Sequence, residues 1–109
     1  MTITQELRST QVILHMEGRF DFGSRKIFKD MIDKAAELNL PVILDLSQVV
    51  FLDSSALGLL VISFQMLKTK HIPFYVVNPQ TYVRQVLDLA NVGKIIPIYN
   101  TVDEIPVSA

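Results

Sequence analysis

The sequence predicts an α/β domain: a mixed sheet of four to five strands with about four helices, organised around a central β-α-β unit. Two observations carry this expectation. Val42-Ile43-Leu44-Asp45-Leu46 and Ile72-Pro73-Phe74-Tyr75-Val76-Val77 are nearly continuous apolar runs, the pattern of strands covered on both faces of a parallel sheet. Between them, from Asp53 onward, the periodicity becomes helical. A strand, a helix and a strand over such a span imply parallel strands and a right-handed crossover.

The remaining elements follow in order. Ile3 to Leu7 fits a short strand, with a turn at Arg8-Ser9-Thr10. Gln11 to Glu17 fits a better strand, bounded by Gly18. His15 within it is expected to be a surface or half-buried residue without a catalytic role. Gly18-Arg19-Phe20-Asp21-Phe22-Gly23 is expected as a loop, and Ser24 as the cap of a helix running to Leu38. That helix places Ile27, Phe28, Met31, Ile32, Ala35 and Leu38 on one stripe, with charged residues opposite or at its edges. Asn39 suits the C′ position and Pro41 stops the helix. A later helix from Gln80 to Ala90 turns Val83, Val86, Leu87 and Ala90 inward and ends at Asn91-Val92-Gly93. Ile95-Ile96-Pro97-Ile98 is a short last strand whose proline indicates an edge or strand end. Thr101 can cap a final turn that Pro106 limits.

Composition narrows the function. A chain of 109 residues, 50% hydrophobic and 19% charged, is expected to form one domain over residues 1–109 around one core. A net charge of −1 offers no footprint for nucleic acid. Cysteine is absent, which excludes disulfides and thiolate metal sites. The N-terminal residues lack the basic and apolar regions of a signal peptide. The longest apolar run, Leu57 to Ser63, is too short to span a bilayer. A cytoplasmic protein without membrane insertion is expected.

The most informative stretch is Asp45 to Leu60, where a strand end passes through a short connection into Asp53-Ser54-Ser55 and a helix. Ser and Asp are favoured at helix starts, because a side-chain oxygen can accept a bond from an unpaired amide. The triplet puts two hydroxyls at a helix mouth that favours negative charge, and Ser54 reads as the cap. With Leu57 at the middle of the buried face, Leu60, Val61, Phe64 and Leu67 join it. The opposite face then carries Ser55, Leu59, Ile62 and Met66. Such an apolar outer face is either covered by another helix or forms a partner surface rimmed by the triplet, and the second is the expectation.

Catalytic signatures are missing. Neither Ser54 nor Ser55 has the flanking glycines of a nucleophile elbow, and no Gly-rich phosphate loop with a following lysine occurs. Asp21, Asp45 and Asp53 would form a Mg²⁺ site only if they met near the strand ends. Asp45 is read more simply as a local hydrogen-bonding residue. Neither an enzyme nor a cofactor is expected.

Leu44-Asp45-Leu46-Ser47 followed by Val50-Phe51-Leu52-Asp53-Ser54-Ser55-Ala56-Leu57-Gly58-Leu59-Leu60 resembles the signature of anti-sigma factor antagonists, the STAS domain family. Gly18-Arg19-Phe20-Asp21 is similar to the family's Gly-x-Leu/Phe-Asp before its first helix, and the likeness extends over essentially the whole chain. Ala56 departs from the pattern, standing where the family most often has glycine; its methyl is expected to alter how closely a partner approaches. The resemblance implies a STAS-like fold and a partner-switching function. On that basis Ser54 is the phosphorylated residue, and Asp21, Asp53, Ser55, Leu59, Ile62 and Met66 contribute to partner binding. The implied partners are an anti-sigma factor or switch kinase of the histidine-kinase-like ATPase type and a PP2C-type phosphatase. The same family implies two rival roles. One is an unphosphorylated subunit docking on the ATPase of a lipid-transport ABC system, and the other a nucleotide-binding or hydrolytic domain.

Overall fold

A computed structural model describes residues 1–8 and 10–106. Five strands, β1 (Thr2–Arg8), β2 (Gln11–Phe20), β3 (Val42–Leu52), β4 (Phe74–Val77) and β5 (Ile98–Tyr99), form one sheet in the order β1-β2-β3-β4-β5. β1 runs antiparallel to β2, and the other neighbours are parallel. Helices α1 (Arg25–Ala36), α2 (Ser54–Thr69) and α3 (Thr81–Leu89) make the three crossovers, and short 3-10 turns lie at Phe22–Ser24, Val92–Lys94 and Val102–Glu104. The mixed sheet and its central β-α-β unit are as expected. The fourth helix is only the 3-10 turn that Thr101 begins, its amide bonded to Glu104.

Each parallel crossover joins neighbouring strands in one direction along the sheet, so right-handedness sends every helix to one face. There Phe28, Ile32 and Ala35 of α1, Ala56, Leu60 and Leu67 of α2, and Val83 and Leu87 of α3 pack on Val12, Leu14, Val42, Leu44, Leu46 and Val76. The other face is not helical. Ile13, Ile43 and Val77 are covered there by Ile105, with Tyr75, Tyr99 and Val102 alongside. The apolar run of β3 was expected to mean helical cover on both faces; on this second face a short C-terminal strap supplies it.

Two strands outrun the expectation. β2 continues through Gly18, which sits at φ +107° beside a register shift against β3. Gly18 therefore shapes a bulge inside the strand instead of ending it, because that φ is open to glycine and strained for other residues. The expected Gly18–Gly23 loop shrinks to Asp21 and the 3-10 turn after it. β3 likewise runs on to Leu52, where a connection was expected, with Arg19↔Phe51 and Phe20↔Leu52 paired across the two extensions. β4 and β5 are shorter than expected, and Ala90 is exposed. Ile27 is also exposed on α1, which ends at Ala36 with Glu37 as its C-cap, so exposed Leu38 lies past the helix and Asn39, left-handed, one residue beyond C′. The turn expected at Arg8-Ser9-Thr10 includes Ser9, which lies outside the described residues.

Helix α2 differs most. Its buried line is Ala56, Leu60, Ser63 and Leu67, rotated by less than one residue step from the face centred on Leu57. Leu57, Val61 and Phe64 are only half-buried. Apolar residues occur on nearly every side of this helix, so periodicity alone does not fix its phase. Small Ala56 and Ser63 let its backbone approach the sheet and α1, and that packing decides the matter.

Candidate functional site

The extensions of β2 and β3 end side by side, and the next residues are Asp21 and Asp53. A backbone bond from Asp53 N–H to Phe20 O, 3.3 Å, carries the pairing to the last position of the sheet. Extended backbone at Asp53 (φ −109°, ψ −178°) then gives way to α2. The Asp53 carboxylate accepts from the Ala56 amide at 3.0 Å, and the Leu57 amide donates to Asp53 O at 3.2 Å. Asp53, not Ser54, is therefore the N-cap. Ser54 is the first helical residue, exposed, and its hydroxyl is uncommitted to capping. Ser55 is half-buried beside it. The free amides of this first turn, with the helix dipole, make the mouth tolerant of negative charge.

Asp21 is held from its own side. It caps the 3-10 turn Phe22–Ser24, and its amide donates to Ser24 Oγ at 3.4 Å. The buried Ser24 hydroxyl donates to Arg19 O at 2.8 Å, tying the turn back to the end of β2. A Cβ on Gly23 would stand 3.3 Å from Asp21 Oδ1, so glycine keeps room for the carboxylate. Arg19 lies 3.7 Å from Asp21 Oδ2 and stacks its guanidinium 4.0 Å from the Phe51 ring centroid. Phe22 is 62% exposed, with the Arg25 guanidinium 4.8 Å from its ring. Sequence reasoning assigned nothing to these four residues: Arg19 meets Phe51 through strand pairing in what read as loop, and Phe22 meets Arg25 across a 3-10 turn.

Behind this mouth, α1 and α2 enclose a groove of about 120 Å³ lined by Phe28, Lys29, Ile32, Asp33, Leu59, Ile62, Ser63 and Met66. Lys29 and Asp33 are bonded along one rim at 3.1 Å. Leu59 and Met66 are half-buried against the core, whereas Ile62 is 64% exposed. The apolar face expected to point outward is thus divided, with α1 covering part of it. Ala56 is fully buried against the sheet, so its methyl faces the core and not an approaching partner.

The carboxylates proposed for a cation do not meet. Asp45 precedes Asp53 by eight residues of extended chain, roughly 20–25 Å along β3. Its Oδ1 accepts from the Ser47 amide at 2.9 Å, the local role expected of it, and its Oδ2 is 2.7 Å from His15 Nδ1. Among the described residues no group of three or more His, Cys, Asp or Glu is placed to hold a metal ion, and no helix is long and apolar enough to cross a membrane.

Comparison with known proteins agrees with this architecture. The family model for the STAS domain matches residues 2–105. A STAS-domain containing protein of Pseudomonas aeruginosa is 28% identical over 88 residues, which is 81% of this chain and 87% of that protein. A candidate anti-sigma factor antagonist from Thermotoga maritima superposes with a TM-score of 0.84 at 27% identity, over 94% of this chain and 89% of that one. An anti-sigma factor antagonist from Mycobacterium paratuberculosis gives a TM-score of 0.84 at 25% identity, over 94% and 88%. This chain belongs to the STAS domain family.

Proposed function

We propose that the protein is a phosphorylation-controlled partner-switching regulator acting in the cytoplasm, with Ser54 as the switch. The observation that carries this reading is the division of labour at the mouth of α2. Asp53 makes the cap bond, and the adjacent Ser54 hydroxyl faces solvent. Similarity to anti-sigma factor antagonists supplies the class of partner. Unphosphorylated, the chain binds an anti-sigma factor or switch kinase of the histidine-kinase-like ATPase type and so frees that protein's target. The kinase transfers phosphate from ATP to the Ser54 oxygen, and a PP2C-type phosphatase removes it.

Charge alone is enough for the switch. A phosphoserine carries about −1.5 to −2 charges at pH 7, and a helix N-terminus accommodates them. At an interface the same charge is desolvated beside Asp53 and near Asp21. Like-charge juxtaposition there costs several kcal/mol, and about 1.4 kcal/mol is each tenfold in affinity. Asp21, Ser55, Leu59, Ile62 and Met66 complete the binding surface, with Ile62 the most accessible apolar contact.

Phosphopeptide mapping after incubation with the cognate kinase and ATP tests this reading. Label on Ser54, and loss of kinase binding by Ser54→Asp, are expected. Label elsewhere, or unchanged binding by Ser54→Asp, overturns it. A stable complex with a transporter ATPase and an unmodified Ser54 in cells would instead establish the transport role.

A further inference from the structure

On the face of the sheet that carries no helix, away from Ser54, His15 of β2 is bracketed by two carboxylates. Its Nδ1 is 2.7 Å from Asp45 Oδ2 on β3, and its Nε2 is 2.7 Å from Glu6 Oε1 on β1. An ionised carboxylate can only accept a hydrogen bond, and a neutral imidazole has a single N–H to give. Two such bonds at opposite edges of one ring therefore require a proton on both nitrogens. The arrangement selects the imidazolium. It does not suit a metal, since the carboxylates flank the ring and do not converge with it on one point.

The surroundings tie this ring to the backbone at two places. On the edge strand, Glu6 Oε2 accepts from Arg8 Nε at 2.7 Å, and Asp103 of the C-terminal turn acts on Arg8 from farther away. On β3, Asp45 spends its second oxygen on the Ser47 amide. His15↔Asp45 is also the last regular pair before the register slips to Glu17↔Gln48. The carboxylate that holds the imidazolium thus also shapes the bulge from which β3 runs on to Asp53. Glu17 follows two residues along β2 and is exposed, and Tyr75 and Tyr99 lie on the same sheet face from β4 and β5.

We propose that Glu6, His15 and Asp45 form a proton-operated clamp. With His15 charged, it fastens the edge strand β1 and the bulge of β3 to β2. Loss of the proton leaves the ring one N–H to share between two carboxylates, which weakens its hold on both β1 and the bulge at Ser47.

The sign follows from the contacts. Burial by itself lowers the His15 pKa, but the bonds to Glu6 and Asp45 outweigh it and leave the group raised above 6.5. Glu6 and Asp45 are both shifted down, so they stay ionised while His15 titrates. A histidine raised on folding stabilises fully below its unfolded value and loses that contribution as pH rises through its folded value. The clamp is closed while His15 is charged and both carboxylates are ionised, and it opens as pH rises through the His15 midpoint, above 6.5. It does not depend on Ser54 being phosphorylated.

Long-range ¹H–¹⁵N spectra of the full chain between pH 5.5 and 10 test it, together with amide hydrogen exchange corrected for intrinsic rate. The His15 midpoint should lie above the ordinary 6.5, with protons on both ring nitrogens below it. Exchange in β1 and at Ser47 should rise about tenfold or more across the His15 titration while α3 stays constant. Glu6→Gln, at a 41% exposed side chain, should lower the His15 midpoint. His15→Gln should abolish the pH dependence of exchange; if that variant does not fold, Glu6→Gln still decides. A His15 midpoint at or below 6.5, exchange that ignores the titration, or a midpoint unmoved by Glu6→Gln each overturns the clamp.

Discussion

The Ala56 amide donates to the Asp53 carboxylate at 3.0 Å, which makes Asp53 the residue that starts α2 and releases the Ser54 hydroxyl from that duty. The cap and the proposed phosphorylation of Ser54 are therefore separable by mutation. Ser54→Ala should unfold within about 0.5 kcal/mol of wild type, as exposed substitutions do, yet accept no phosphate. Asp53→Ala should cost about 1 kcal/mol through loss of the cap. Urea denaturation of both variants checks the pair, and a larger loss for Ser54→Ala would return the cap to Ser54.

Ile62 and Leu60 are near neighbours on α2 with opposite surroundings. Ile62→Asp should leave the melting temperature nearly unchanged while weakening the kinase complex. Leu60→Ala, at a fully buried side chain, should cost about 2–5 kcal/mol. Leu59→Asp and Met66→Asp should fall between, because both side chains are half-buried beside α1. Calorimetric binding set beside thermal melts separates the two effects. Destabilisation by Ile62→Asp comparable with Leu60→Ala would assign Ile62 to the core.

Gly58 and Gly18 should respond in opposite directions to alanine. A Cβ at Gly58 meets nothing within 4 Å on an exposed helical position, so Gly58→Ala should stabilise by roughly 0.5–1 kcal/mol. Gly18 holds φ +107°, and Gly18→Ala should destabilise by about 1–3 kcal/mol. If Gly58→Ala also weakens partner binding, the bare backbone there is part of the contact surface. Equilibrium unfolding with a parallel binding assay reads both.

Acid should reveal Asp45. Burial alone pushes its carboxyl up, but the Ser47 amide and then His15 bring it below the ordinary 3.8. A carboxylate depressed on folding contributes stability above its unfolded value and loses it as pH falls through its folded value. Wild type should therefore weaken below about pH 4, and Asp45→Asn should show a shallower decline from a lower neutral-pH starting point. Denaturant titrations from pH 2.5 to 7 measure both curves. Parallel curves would remove Asp45 from the acid response.

Much of the fold was legible because backbone order and apolar runs determine it: two buried runs around a helix, an amphipathic α1, an edge proline at Pro97. The phase of α2 was not, since Leu57, Leu59, Val61, Ile62, Phe64 and Met66 leave no polar side to mark the outside. The length of β3 was hidden by Ser47-Gln48, polar residues that resemble a turn but occupy a bulge. Gly18 misled for the same reason. At the site, Asp53 and Ser54 were marked by helix-start chemistry, though with the cap on the wrong one, and Asp21 by the family resemblance, whereas the His15–Asp45 contact spans 30 residues and exists only through strand pairing. Its faint signal was a pair of polar residues interrupting two otherwise apolar strands.

The C-terminal strap has a bearing on how the protein is made. Ile105 reaches back over Ile13, Ile43 and Val77, side chains translated long before it. During synthesis the helical face can close as each crossover emerges, while the opposite face stays bare until the strap clears the ribosome. Those apolar side chains are therefore the last part of the sheet to leave water.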